Sequence, residues 1–182
     1  MRLSVTRNLH DYWDRLKGER SAPDRAEIDP VAIRHILPDT FIIEVDFEQR
    51  LPLRLCGARV NALWQRDQKG RPFLGWWRSA SESEMAETIR LVVDDETPVV
   101  ASARAGAQDW RAGEFELLLL PLRHFGKSRS RILGSLAPAH AFDSPVGLLD
   151  FVAARALDER AAEVSKSGWL RSPAGRMAAY NG

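Results

Sequence analysis

The side chains best suited to chemistry are few and scattered. Four histidines, His10, His35, His124 and His140, and a single cysteine, Cys56, have no mutual spacing that would hold a metal ion. The acidic run Asp94, Asp95, Glu96 offers adjacent carboxylates, which diverge on a helix and cannot flank one scissile bond; it reads as a solvated helix end. A nucleophile elbow, a phosphate-cradling glycine loop and a zinc-protease helix motif are all missing from the sequence. The residues that do converge are aromatic. Trp64, Phe73, Trp76 and Trp77 crowd one segment, and aromatic walls with a few polar groups suit a small-molecule site. Arg54 lies two residues before Cys56, so on a regular strand the two share a face, and an inward Arg54 would orient an anionic ligand. Ile89 completes this candidate ligand-binding set from a later helix. The alternative is plain core for the tryptophans and an outward or carboxylate-paired Arg54.

These residues need a scaffold, and the segment Ile28 to Phe73 is its centre. TFIIEVDF and RLPLRLCGA are rich in β-branched and aromatic residues around a polar turn at Glu48 to Arg50, which predicts an antiparallel hairpin. Gly57 then releases the chain into a helical stretch, Ala58 to Trp64. Ahead of the hairpin, Asp29 and Pro30 suit the start of a short helix over Val31 to Leu37, ended by Pro38. Ser81 with Glu84 forms a capping-box pattern before the apolar stripe Met85, Ile89, Val92, Val93, predicting a longer helix that ends by Thr97 because Pro98 follows.

Three further strands follow: PVVASARAG, EFELLLLPLRHF and RILGSLAP, with QDWRAG and GKSRS between them. The unbroken run Leu117 to Leu120 predicts a central strand covered on both faces. Pro121 predicts a bulge or a missing ladder bond. Gly147 to Ala156 reads as a short helix, and the Ala-, Arg-, Ser- and Gly-rich remainder as a poorly ordered tail.

At the other end, Leu9, Tyr12, Trp13 and Leu16 fall at i, i+3, i+4 and i+7, one face of a helix that Gly18 stops. That face packs either on the chain's own sheet or, as a dimer interface, on a second copy. The expected organisation is therefore an N-terminal helix and connector over 1–27, one α+β domain over 28–141, and a C-terminal extension over 142–182. The domain would hold a five-stranded antiparallel sheet with central helices on one face.

Composition sets outer bounds. The 182 residues include 26 Lys and Arg against 25 Asp and Glu, a formal charge of +1 that gives no strong field toward nucleic acid or membrane. The basic run Arg123, Lys127, Arg129, Arg131 has only Phe125 for base stacking, which argues against a nucleic-acid partner. One cysteine excludes an internal disulfide. The start MRLSVTRNLHDYW lacks a signal-peptide core, and the longest apolar run is far below the ~20 residues that span a bilayer, so a cytoplasmic protein is expected.

In order along the chain, YWDRLKGERSAPDRAEIDP at Tyr12 to Pro30, ILPDTFIIEVD at Ile36 to Asp46 and LRLCGARVNALWQRDQKGRPF at Leu53 to Phe73 resemble the PAS domain family, and more closely short bacterial proteins built of little beyond one PAS domain. The resemblance covers about Leu9 to Ala139. It implies a non-catalytic sensory or regulatory module that passes its state to a signalling partner through flanking helices, with or without a small molecule held between sheet and helices. A homodimer is part of that expectation. No kinase, cyclase, phosphodiesterase or DNA-binding pattern follows the domain. The light-sensing branch needs a cysteine within an N-C-R-F-L-Q type motif, which GARVNALWQ does not match. A haem sensor needs an axial histidine facing the pocket, for which His124 is the sole weak candidate. No cofactor is therefore expected. From a different class, a small-metabolite carrier or small enzyme would use the same Trp-lined cavity.

Overall fold

A computed structural model describes residues 1–106, 113–124, 127–142 and 145–157. The expected tail beyond 157 and most of the QDWRAG connection lie outside the described residues.

Six strands form one antiparallel sheet in the order β2-β1-β5-β4-β3-β6. They are β1 Thr40–Glu44, β2 Leu53–Cys56, β3 Val99–Ala105, β4 Gly113–His124, β5 Lys127–Pro138 and β6 Leu149–Ala156. The sixth strand corrects the expected count of five. It also corrects the short helix expected over Gly147 to Ala156, because that segment pairs with β3 from Leu149↔Ala105 to Ala156↔Val99. Its alanines and single phenylalanine carry a weak strand signal, and the free edge of β3 supplies the hydrogen bonds that select the extended form.

Helices α2 Ala58–Leu63 and α3 Ser79–Asp94, with a 3-10 turn at Phe73–Trp76, cover one face of the sheet. Helix α1 Ser4–Lys17 and the connector that follows cover the other. Two-sided coverage explains the leucine run of β4: Leu117 and Leu119 point into the α2/α3 layer, Leu118 and Leu120 toward α1. Pro121 breaks no ladder bond to β3, since β3 ends its pairing at Val99↔Leu119. The irregularity against β5 falls instead between Leu122 and His124. The Pro121 carbonyl is put to use, accepting from Trp13 Nε1 at 2.9 Å.

The connector is less polar in effect than in composition. Ala22, Ile28, Ile33 and Ile36 are buried with α1 against the sheet. The Tyr12 hydroxyl accepts the Asp29 N–H at 2.7 Å, tying helix to connector. Asp29 does cap the following segment, its carboxylate accepting from Val31 N at 2.9 Å, yet Val31 to Ile36 stays a run of turns and only Leu37–Asp39 forms a 3-10 turn. Pro38 disfavours helical geometry just before it, which keeps the segment short of a helix.

Gly57 is required by space. Its N–H donates to Thr40 O at 2.8 Å, and a Cβ there would stand 2.5 Å from Leu37 O. Its φ of −70° is open to any residue, so the close backbone approach alone demands glycine. The expected capping box at Ser81 and Glu84 is also corrected. α3 starts earlier, at Ser79, and the Ser81 hydroxyl accepts from Phe151 N at 2.9 Å, serving β6 instead of its own helix. A capping box does form at Asp24 and Glu27, around the 3-10 turn Arg25–Glu27. Among the described residues no helix is long and apolar enough to cross a membrane.

Candidate functional site

The aromatic segment meets the sheet as the sequence suggests, and the rings fill the space between them. Trp64 stacks on Trp76 with centroids 4.4 Å apart; Trp76 meets Phe41 edge-on at 5.3 Å; Phe73 lies 5.1 Å from Trp76 and 5.7 Å from Phe41. Trp77 contacts Phe73 at 6.0 Å and Phe151 of β6 at 6.4 Å. Phe73 and Ile89 are fully buried, and Trp64, Trp76 and Trp77 nearly so. Such centroid distances are those of ordinary aromatic core packing. The polar handles are mostly satisfied: Trp76 Nε1 donates to Gln68 Oε1 at 3.0 Å and Trp64 Nε1 to Gly147 O at 3.2 Å. Trp77 Nε1 is the exception, a buried donor with no acceptor.

Segment 145–156 closes this layer from the side. Val146 N donates to Leu63 O at 2.7 Å, Arg78 N to Leu149 O at 2.9 Å, and Arg78 Nε reaches the Asp150 carboxylate at 3.0 Å. β6 therefore locks the start of α3, and the residues leading into it hold the end of α2, over the aromatic cluster. Local sequence does not show this strand, because the groups that hold β6 extended lie far away in the chain: β3 along one edge, and Arg78 and Ser81 beside the other.

Arg54 and Cys56 do not share a face, which corrects the expectation that paired them. Ile42 is opposite Leu55 and Ile43 opposite Leu53, leaving Arg54 as the extra residue of a β-bulge. Cys56 then packs with the aromatic layer while Leu55 turns to the α1 side. Arg54 is half-exposed, and its guanidinium pairs with the Glu44 carboxylate, which also holds Arg131 Nη1 at 2.8 Å. Burial pushes the Cys56 thiol up to about 12, with Asp67 adding to the effect. The thiol is thus protonated at neutral pH and chemically quiet. Iodoacetamide at pH 8 is expected to leave Cys56 unmodified in the folded protein and to label it fully in denaturant; rapid labelling of the native protein would contradict this burial.

The four residues assigned to a dimer contact sit elsewhere. Leu9 and Trp13 are fully buried, and Tyr12 nearly so, against Leu118, Leu120, Leu122, Ile42 and Leu133 of the chain's own sheet, with Leu16 at the margin. The stripe finds its apolar surface within the same chain, so in this arrangement a second copy cannot reach it.

Among the described residues, two prominent cavities open on the surface away from the candidate aromatic residues. One, of about 260 Å³, lies between α2 and the end of β5, where buried Asp39 accepts from Arg59 Nη1 at 2.5 Å. The other is a groove of about 760 Å³ on the α1 side, walled by Asp24, Arg25 and Ala26, floored by Ile42 and Leu55, and flanked by Arg54 and Arg131. Among the described residues no cluster of three or more His, Cys, Asp or Glu could hold a metal ion. The side chain of His124 lies outside the described residues.

A sheet closed on one face by α2 and α3 and on the other by an N-terminal helix, with both layers packed, defines a small layered α+β module. The chain belongs to the PAS domain family, which it matches over residues 1–137. PAS domains generally act as sensory or regulatory modules without catalytic activity. β6 lies beyond the matched residues. Among solved structures, the chain is similar to one described as an RNA-binding light-oxygen-voltage receptor, with 17% identity and a TM-score of 0.47, over 64% of this chain and 35% of that one. The chain thus spans about a third of that receptor's length. No curated protein matches it.

Proposed function

We propose that this PAS module is a non-catalytic regulatory protein that works by binding a protein partner through the sheet face carrying α1, in the cytoplasm. One observation carries the reading: the space between sheet and helices is occupied by stacked rings, whereas an open charged groove lies on the opposite face. A homodimer fits this reading only through surfaces other than Leu9, Tyr12 and Trp13, which are already covered. The test is a photo-crosslinking residue placed at Leu55 in the groove and, as a control, at exposed Val152 on β6. A discrete protein adduct from position 55 and none from 152 is expected; adducts from neither, or equally from both, would remove the α1-side face from the account.

A second reading is favoured by Trp77. Its buried, unpaired N–H costs about 1–3 kcal/mol, which a small molecule bearing an acceptor would recover if the rings moved to admit it. A bound molecule at this point would make the protein a ligand sensor, or a carrier in the alternative class.

A further inference from the structure

The α1-side groove has a chemistry of its own, and we infer that it docks an acidic, aliphatic peptide segment of the partner protein. This deepens the partner-binding reading above and rests on it. Three arginines, Arg25, Arg54 and Arg131, border the groove, against Asp24 and Glu44. Asp24 is committed locally, its carboxylate accepting from Ala26 N at 2.9 Å. Glu44 is bracketed by two guanidinium groups, Arg54 and Arg131. An arriving carboxylate can share both guanidiniums with Glu44, since planar guanidinium groups hold carboxylates in bidentate fashion.

The floor sets the rest of the partner's chemistry. Ile42 and Leu55 give it an apolar base in which an aliphatic side chain can be buried beside the carboxylate. Among the described residues no aromatic ring lines the groove, so they offer no platform for base stacking and favour a peptide over a nucleic-acid strand. Strand addition along the whole of β2 is blocked at Leu53, where the outer edge is already taken: Leu53 N donates to Arg71 O at 2.9 Å and Gly70 N to Leu53 O at 2.7 Å. Recognition then rests chiefly on side chains. The bulge at Arg54 has a purpose on this account, since it turns that guanidinium away from the aromatic layer and into the groove.

The experiment uses the full chain and a fluorescent peptide of about a dozen residues rich in Glu and Leu, with its Gln-for-Glu counterpart and an RNA oligonucleotide of equal charge as comparators. Saturable binding of the acidic peptide is expected, with shifts of the Ile42 and Leu55 methyl resonances. Arg54→Glu should weaken it at least tenfold. Glu44→Gln should strengthen it severalfold by removing the resident competitor, an effect of opposite sign that mere damage to the fold would not produce. If the Gln counterpart binds the same methyls equally well, the acidic class falls and the protein-contact reading stands. If the RNA binds more tightly than the acidic peptide and is equally sensitive to Arg54→Glu, the groove is a nucleic-acid site and the inference is overturned. If none of the three probes shifts Ile42 or Leu55, both the inference and the groove's role in partner binding fall.

Discussion

Trp76→Ala is expected to lower the unfolding free energy by about 3–5 kcal/mol, a large share of the roughly 5–15 kcal/mol that holds a domain of this size together. Trp76 is almost fully buried and touches Trp64, Phe41 and Phe73 at once. Truncation opens a cavity that rings from three different segments cannot easily fill. It also strands Gln68, itself buried, whose amide oxygen accepts the Trp76 N–H. Trp76→Phe shifts the balance between the two effects, because it keeps part of the ring contact while losing the hydrogen bond and the second ring; it should cost about 1–3 kcal/mol, less than the alanine variant. Urea denaturation of both variants checks the pair. A loss below about 1 kcal/mol for Trp76→Ala would mean that the ring borders open space, as a ligand wall would, and not a packed interior.

Glu116→Ala is expected to cost about 3 kcal/mol and to loosen α1 selectively. Glu116 lies on the α1 side of β4 and is nearly fully buried. Its two oxygens accept from Arg2 N at 2.7 Å and Leu3 N at 3.0 Å, the backbone leading into α1. That helix has no acidic residue in its first turn and no side-chain cap of its own, so a carboxylate from the sheet performs the capping. Burial alone would raise the Glu116 carboxyl, but the N–H groups of Arg2 and Leu3, the nearby Thr6 hydroxyl and the N-terminal charge outweigh it and hold it below its usual 4.5. A depressed folded-state value means that the carboxylate stabilises the docked helix fully above about 4.5, and that this contribution fades as pH falls through the lower folded value. Hydrogen exchange should therefore show faster exchange of the α1 amides in Glu116→Ala at pH 7, while the amides of β3 and β4 change less. Equal acceleration throughout the sheet would show that α1 is not a separately docked element.

Both predictions concern features that one sequence shows unevenly. The leucine run of β4 was legible because alternation fails only where both faces are covered, and its four leucines divide between the two layers as that rule requires. The clustering of Trp64, Phe73, Trp76 and Trp77 was legible too. Whether the cluster lines a space or fills it was not, since residue types carry no volume, and the stacking depends on Phe41 and Phe151 arriving from distant strands. Arg54 was placed by strict strand alternation, and one bulged residue reverses such an inference. β6 was hidden for a related reason. LDFVAARA has little strand preference of its own, and its extended form is set by β3 on one side and by Arg78 and Ser81 on the other. The role of Glu116 had no local signal at all, because the helix it caps lies more than a hundred residues earlier.

Stacked rings fill the space between the sheet and its helices, which leaves the α1 side as the proposed place of recognition. Native mass spectrometry of the intact protein, purified without denaturation from its own cells, tests it most directly. The mass expected is that of the polypeptide with no retained small molecule. A stoichiometric small molecule, released on denaturation and accompanied by a change in tryptophan fluorescence, would contradict it and give Trp77 its missing acceptor.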